Sequence, residues 1–241
     1  VAGYVQFTSK TNISIRMEGS ICPVGSLGNV NSAILRMNSC SGVSIRPKII
    51  NPAYAATLNC IRLDACTDVL VHDGRIDVAG IGYDGCAAVQ IGAGTTKVTV
   101  TGNYIRSPGY GVLGNDGAGV SDITIVDNEI EGQKAYGYAS QGDAVEANFP
   151  TNPSSRWWVE GNRIHGYQGY HPGQFDARII AIGMARVQGF SVSHNKIWDI
   201  PAIEAIHLED GTSSGMVVDN TIECDTVGIH LQPNNAGHTL D

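Results

Sequence analysis

Long apolar segments are missing from this 241-residue chain, and so is an amino-terminal stretch in which a basic cluster precedes an apolar run. A membrane-spanning helix needs about 18 or more consecutive apolar residues, and a secretory signal needs a charged segment before its apolar one. The sequence therefore predicts no membrane insertion. The chain opens directly on the strand-like VAGYVQF, and we expect residues 1–241 to be a single-domain segment of a longer polypeptide.

Basic residues are also scarce. There are 15 Lys and Arg against 23 Asp and Glu, so the formal net charge at pH 7 is −8, and no basic run concentrates positive charge. Nucleic-acid binding depends largely on Lys and Arg that neutralise phosphates. This charge balance disfavours nucleic acid as a partner.

Closely paired cysteines of the kind that hold structural zinc are absent. The six cysteines are Cys22, Cys40, Cys60, Cys66, Cys86 and Cys224. We interpret them as free thiols of a protein assembled in a reducing cytosol, and we expect neither a metal nor a cofactor. The alternative concerns Cys40 and Cys66, which follow equivalent segments of a repeat and could approach to disulfide distance.

What the sequence does contain is a repeat. Thirty glycines and many short segments rich in Val, Ile and Thr are typical of an all-β protein. One phrase recurs as KVTVTGNYI, DITIVDNEI, RWWVEGNRI, FSVSHNKIW and MVVDNTI, with asparagines Asn103, Asn128, Asn162, Asn195 and Asn220 at spacings of 25 to 34 residues. Weaker upstream copies raise the number to eight, and a second alternating phrase, such as AVEANF or AIHLED, lies between the copies.

Two short strands per repeat, with no helix between them, predict a right-handed parallel β-helix of about eight coils. We expect each repeated Asn to occupy a corner in a left-handed backbone conformation and to hydrogen-bond to the Asn of the next coil. The alternative, a β-propeller, needs four strands in repeats of about 40 residues. The repeats here are too short for it.

Equivalent positions of neighbouring coils stack about 4.8 Å apart, so the second phrase predicts columns of side chains, with apolar columns facing inward. One outward column is predicted to contain Glu146, Ala181 and His207, and its neighbour Asn148, Gly183 and Glu209. Small residues between carboxylates form a notch. Side chains that lean together across it could reach the roughly 6.5 to 9.5 Å separation used in inverting glycoside hydrolysis.

A third column is predicted at the strand entrances and contains Asp143, Arg178 and Glu204. Alternating charges at coil spacing favour a structural ion ladder, because like charges would repel. The alternative is that Arg178 contacts an acidic sugar while Asp143 joins the catalytic group. Asp176 and Asp210 lie at loop edges, where Asp is an ordinary turn residue.

The repeat spacing lengthens where these carboxylates occur, which predicts longer loops around 131–153 and 165–178 beside the notch. Half of the 16 aromatic residues fall between positions 136 and 175. Phe149 and one of the adjacent Trp157 and Trp158 are expected in the core, since a strand alternates its faces. The others can present flat platforms to sugar rings.

Three motifs together resemble a known family. GDAVEAN (142–148), AIGMA (181–185) and IHLEDG (206–211) occur in this order. They resemble bacteriophage tailspike depolymerases of the pectate-lyase-like β-helix class, in particular those that cleave capsular polysaccharides or exopolysaccharides such as colanic acid. The resemblance covers about residues 95–232. The chain departs from it at Ala147, where an aromatic residue is common, and in lacking an anchoring head or a trimerising tail.

The resemblance implies a homotrimer in the tail of a virion, assembled in the host cytoplasm, that binds and hydrolyses a bacterial surface polysaccharide. It implies Glu146 and Glu209 as the acid and its partner, with Asp143 next. The candidates for substrate binding are Asn148, Trp158, Tyr167, Tyr170, Asp176, Arg178 and His207. Two alternatives stay open: a polysaccharide lyase with His207 or His230 as base near Arg178, and a glycan-binding fibre without catalysis.

Overall fold

A computed structural model describes residues 5–18, 33–54, 59–80, 87–107, 109–115, 117–132, 142–167, 180–200 and 204–232. The described residues form β-strands joined by short corners. None of them forms a helix long and apolar enough to cross a membrane.

The strands follow one another along the whole described chain. The first eight are β1 (Val5–Thr8), β2 (Thr11–Arg16), β3 (Ala33–Asn38), β4 (Ser41–Arg46), β5 (Lys48–Tyr54), β6 (Asn59–Asp64), β7 (Thr67–His72) and β8 (Arg75–Gly80). The next eight are β9 (Ala87–Ile91), β10 (Thr96–Thr101), β11 (Tyr104–Arg106), β12 (Tyr110–Asn115), β13 (Ser121–Val126), β14 (Glu129–Glu131), β15 (Val145–Asn148) and β16 (Ser154–Glu160). The last eight are β17 (Arg163–His165), β18 (Ile180–Ala185), β19 (Val187–Ser193), β20 (Lys196–Trp198), β21 (Glu204–Glu209), β22 (Ser213–Val218), β23 (Thr221–Ile222) and β24 (Val227–Leu231).

These strands form three parallel sheets, and each complete coil contributes one strand to each sheet. The first sheet has nine strands in the order β1-β3-β6-β9-β12-β15-β18-β21-β24, the second has eight from β2 to β22, and the third has seven from β5 to β23. This confirms the predicted right-handed parallel β-helix. The expectation of two strands per coil was wrong, because the third strand is often only three residues long and follows the second after a two-residue corner.

The corner between the second and third sheets carries the repeated asparagines. Nδ2 of Asn128 donates to the carbonyl oxygens of Val100 and Val126 at 2.8 and 3.0 Å. Its backbone N–H and its Nδ2 also donate to Oδ1 of Asn162, both at 3.0 Å. The same pattern continues through Asn103, Asn162, Asn195 and Asn220. The predicted asparagine ladder is confirmed.

The backbone conformation predicted for the ladder residues was wrong. The left-handed residue is the one before each Asn, with φ values of +63° at Gly102, +54° at Asp127 and +65° at Gly161. The turn is therefore made by a Gly or an Asp, which tolerates this conformation, or by His194 before Asn195. The Asn that follows is left with its side chain directed inward to satisfy buried backbone groups.

The interior is filled by stacked Ile, Val and Leu residues, with larger rings near the middle. Trp157 and Phe149 are fully buried, and their rings meet edge to face with centroids 6.0 Å apart. A Cβ added to Gly114 would lie 2.5 Å from the Trp157 ring, so this glycine makes room for the indole. The expectation that Phe149 and one of the paired tryptophans belong to the core is confirmed.

Four cysteines lie in the described part of the chain, Cys40, Cys60, Cys66 and Cys224, and all four are free thiols. Cys40 and Cys66 occupy equivalent corners between the first and second sheets and are buried. Burial raises the pKa of the Cys66 thiol above its ordinary value. Cys22 and Cys86 lie outside the described residues.

Candidate functional site

The long connections lie at the corner that leads from the third sheet to the first. The chain leaves β14 at Glu131 and starts β15 at Val145, and it leaves β17 at His165 and starts β18 at Ile180. Most of the two predicted loops falls in these connections. Residues 133–141 and 168–179 lie outside the described ranges, as therefore do the candidates Tyr170, Asp176 and Arg178.

The notch exists on the outer face of the first sheet, but its register differs by two residues from the predicted one. Glu146 is paired with Gly183, and Gly183 is paired with His207. Beside them, Ala185 separates Asn148 from Glu209. The predicted middle residues, Ala181 and Gly183, were therefore wrong. Gly183 and Ala185 are equally small, so carboxylates still stand on either side of a low floor.

The predicted charge ladder at the strand entrances was also wrong. Ile180, not Arg178, is paired with Glu204. The backbone N–H of Ile180 donates to Oδ1 of Asp143 at 2.8 Å. An apolar residue thus separates the two acidic residues of this column.

Asp143 is the most perturbed carboxyl group of this region. It is 6% exposed. A Cβ placed on Gly183 would lie 3.3 Å from Oδ2 of Asp143 and 3.7 Å from Cγ of Glu146, so both acidic side chains flank this glycine. The pKa of Asp143 is raised well above its usual range, first by burial and then by the charge of Glu146. The hydrogen bond from Ile180 opposes this change, and the charges of Glu209 and Glu204 reinforce it.

The two carboxylates favoured by the sequence lie on the rim of the notch and are more accessible. Oε1 of Glu146 accepts a hydrogen bond from Nδ2 of Asn148 at 2.9 Å, which fixes the carboxylate over its own strand. The side chain of Glu209 is 28% exposed, and its Oε2 lies 3.7 Å from Nε2 of His207. The site therefore combines one buried carboxyl group with two partly exposed ones.

His207 lies on the predicted face and is largely buried. Its side chain is 6% exposed, and its ring stacks on His230 with centroids 4.6 Å apart. Its Nε2 is 2.9 Å from Oε1 of Gln232. His230 covers one face of the His207 ring, and Gln232 and Glu204 lie at its two nitrogens. The expectation that His207 contacts substrate stays a prediction.

The two described aromatic candidates do not line the notch. Tyr167 is 2% exposed, and burial, followed by the charges of Asp143 and Glu131, raises the pKa of its hydroxyl. Trp158 is 38% exposed, but it stands on the second sheet between Thr124 and Ser191. A platform for sugar rings at the notch is therefore formed by neither residue.

Sequence reasoning placed His207 and His230 in one column and Glu204 in another, and it missed that the three side chains converge. Ligand-type atoms of all three lie within 4.8 Å of one another. The signal in the sequence was the phrase IHL, which occurs at 206–208 and again at 229–231 and places two histidines in register on adjacent strands.

Two shallow surface grooves lie elsewhere. They follow the corner between the second and third sheets and are lined by residues such as Arg46, Arg75, Tyr104 and Glu129. We place the candidate site at the notch rather than in these grooves, because the notch holds Asp143, whose pKa is raised well above its usual range.

The fold and the notch define a parallel β-helix protein with a cluster of carboxylates on the outer face of its first sheet. No family model matches this chain, and no curated protein does.

Proposed function

We propose that this protein hydrolyses a polysaccharide at the notch, with its carboxyl groups as acid and base. The observation that carries the proposal is Asp143, which is buried beside Glu146 and has a raised pKa. A carboxyl group that stays protonated near neutral pH is the standard proton donor for glycosidic oxygen. Glycosidases pair such a group with a second, ionised carboxylate.

In this reaction Asp143 donates its proton to the leaving oxygen as the bond from the anomeric carbon to that oxygen breaks. An ionised carboxylate either removes a proton from the attacking water or attacks the anomeric carbon directly. Glu146 suits this role because its side chain lies beside Asp143 and its carboxylate is held by a hydrogen bond from Asn148. Glu209, on the opposite side of the small-residue floor, is the second candidate.

The biological setting we propose is a phage tailspike that acts on a bacterial capsule, exopolysaccharide or O-antigen as a homotrimer in the virion. The ordered motifs at 142–148, 181–185 and 206–211 support this setting, and a parallel β-helix suits it. A solenoid with a notch on one outer face presents an extended surface along which a long glycan can bind.

The test is incubation with a panel of purified bacterial surface polysaccharides, with new reducing ends and product masses as readouts. Asp143→Asn, Glu146→Gln and Glu209→Gln are compared with Glu160→Gln, a control at the exposed end of β16 on the second sheet. We expect the Glu160→Gln control to cleave the polysaccharide at the wild-type rate. Asp143→Asn and Glu146→Gln should lose most of the cleavage activity.

Other outcomes would contradict the proposal. Products with a new ultraviolet-absorbing double bond would identify a lyase. Saturable glycan binding without any new reducing end would identify a binding fibre. Light scattering of the purified protein in solution tests the trimer separately from the activity.

A further inference from the structure

Three potential metal ligands meet at the carboxyl-terminal end of the first sheet. Glu204 and His207 lie on β21, and His230 lies beside His207 on the paired strand β24. Oε2 of Glu204 is 2.9 Å from Nδ1 of His207 and 3.0 Å from Nδ1 of His230. One carboxylate oxygen thus faces two imidazole nitrogens.

The nitrogen of His207 that faces this carboxylate has no hydrogen bond within the described part of the chain. Nδ1 is buried, and although Oε2 of Glu204 is 2.9 Å away, it lies off the direction in which a ring N–H would point. Buried polar atoms are rarely left in this state, and each such atom needs an explanation.

The other ring nitrogen of His207 determines which tautomer is present. Nε2 is 2.9 Å from Oε1 of Gln232. An amide oxygen can only accept, so Nε2 carries a proton, and in the neutral tautomer of this kind Nδ1 presents its lone pair. Nδ1 of His207 and Oε2 of Glu204 are then two electron-rich atoms that face each other in a buried place. A cation bound to both would turn this repulsion into attraction.

We propose that Glu204, His207 and His230 bind a divalent first-row transition metal, for which Zn²⁺ is the probe. Two imidazoles and one carboxylate form a donor set that suits Zn²⁺ and its neighbours, whereas Mg²⁺ and Ca²⁺ prefer oxygen ligands. Gln232 supplies the outer-shell hydrogen bond that orients a metal-binding histidine. The sequence suggested no metal, because only cysteine spacing was considered.

This site does not depend on the proposed hydrolysis. The hydrolytic groups are Asp143, Glu146 and Glu209, and none of them is a ligand here. Loss of metal binding and loss of cleavage can therefore be measured separately.

The experiment is calorimetric titration of the tag-free, chelator-treated chain with Zn²⁺, with Mg²⁺ as the comparison ion. The visible absorption of bound Co²⁺ reports nitrogen ligation. His230→Asn is the main variant, because its side chain is 31% exposed and its replacement disturbs the fold less than that of buried His207. Glu204→Gln is the second variant. His165→Asn is the matched control, since His165 also faces a carboxylate, 3.2 Å from Glu129, and stacks on an aromatic ring, but no second histidine joins it among the described residues.

We expect one Zn²⁺ per chain and no comparable binding of Mg²⁺. Loss of an outer-shell partner alone typically weakens metal affinity by roughly 10- to 100-fold, so His230→Asn and Glu204→Gln should weaken it by at least that factor, while His165→Asn leaves it unchanged. The proposal is overturned if the wild-type chain shows no saturable Zn²⁺ binding, or if His230→Asn binds as well as the wild type. Equal weakening in the His165 control would overturn it too.

Discussion

The asparagine ladder makes a quantitative prediction about stability at Asn162, which has no exposed surface. Its Oδ1 accepts from the backbone N–H and from Nδ2 of Asn128, both at 3.0 Å. Its Nδ2 donates to the carbonyl oxygens of Ile125 and Glu160 and to Oδ1 of Asn195, at 2.8 to 3.1 Å. Replacement by Ala removes all of these bonds at once.

The size of the loss follows from which groups can find new partners. Nδ2 of Asn128 keeps the carbonyls of Val100 and Val126. The backbone N–H of Asn128 keeps no acceptor in the described structure, and a buried unsatisfied donor costs about 1 to 3 kcal/mol. Oδ1 of Asn195 keeps the backbone N–H of residue 162, and the two lost bonds to the carbonyls of Ile125 and Glu160 contribute about 1 kcal/mol each. We therefore expect Asn162→Ala to lower the free energy of unfolding by about 3 to 5 kcal/mol, a large part of the usual 5 to 15 kcal/mol.

The control is Asn220→Ala at the last rung of the ladder. Asn220 accepts from Asn195 in the same way, at 3.0 and 2.9 Å, but it is only half-buried. Water can replace some of the hydrogen bonds that the Asn220 side chain makes, so we expect the free energy of unfolding to fall by only about 1 kcal/mol.

Urea unfolding followed by circular dichroism measures both variants, with unchanged slopes as the check that each transition stays cooperative. Equal losses in the two variants would refute the reasoning, because burial would then make no difference to the ladder.

Four further predictions follow from single contacts. Asp143→Asn should be more stable than the wild type at about pH 8 but not at about pH 3. Because the pKa of Asp143 is raised in the folded state, its protonated form stabilises the fold at low pH, and this stabilisation is lost as the pH rises through that pKa. Urea midpoints at both pH values test it, and a pH-independent difference would contradict it. Glu146→Gln should lower turnover by about 100-fold or more and change the unfolding free energy by no more than about 0.5 kcal/mol. Gly114→Ala should lower the melting temperature, since the added Cβ meets the ring of Trp157 at 2.5 Å and overpacking costs about 1 to 3 kcal/mol. Trp158→Ala should leave the KM for a cleaved glycan unchanged, because Trp158 stands on the second sheet, and a raised KM would mean that glycan reaches that sheet.

The fold was predictable because the sequence repeats with the period of the coils. Each coil repeats the same backbone turn, and the turn needs the same residues at Asn103, Asn128 and Asn162. The third strand was missed for a related reason. Short strands such as Tyr104–Arg106 follow the ladder Asn directly. In the sequence their residues therefore look like the end of the repeat phrase that contains the second strand, and not like a separate strand.

The register at the site was not predictable from the apolar pattern. A shift of one residue along a strand exchanges its faces, but a shift of two restores them. In β18 both alignments place apolar residues inward, since Ile180, Ile182 and Met184 all have the same parity. The contact that distinguishes the two alignments is the hydrogen bond from Ile180 to Asp143, which is polar and specific to this coil.

Burial of the loop residues was missed because it depends on packing between coils. Tyr167 follows β17 by two residues and packs directly over Gly132, where an added Cβ would approach the tyrosine to 2.6 Å. The sequence shows an aromatic residue in a loop and a glycine in the coil before it. Only the stacking of these two positions indicates that the ring is directed inward.

The charged groups on the outer face of the first sheet differ between the early and the later coils. In the early coils the acidic group on this face is matched by basic ones: Asp64 accepts from both Arg36 and Arg62 at 2.9 to 3.0 Å. In the later coils the same face gathers acidic groups, and the pKa of Asp143 is raised by burial and by the charge of Glu146. Clustering of like charges opposes folding, and such perturbed groups concentrate at functional sites. The early coils therefore balance charge on this face, whereas the later coils crowd carboxyl groups on it, which raises the pKa of Asp143.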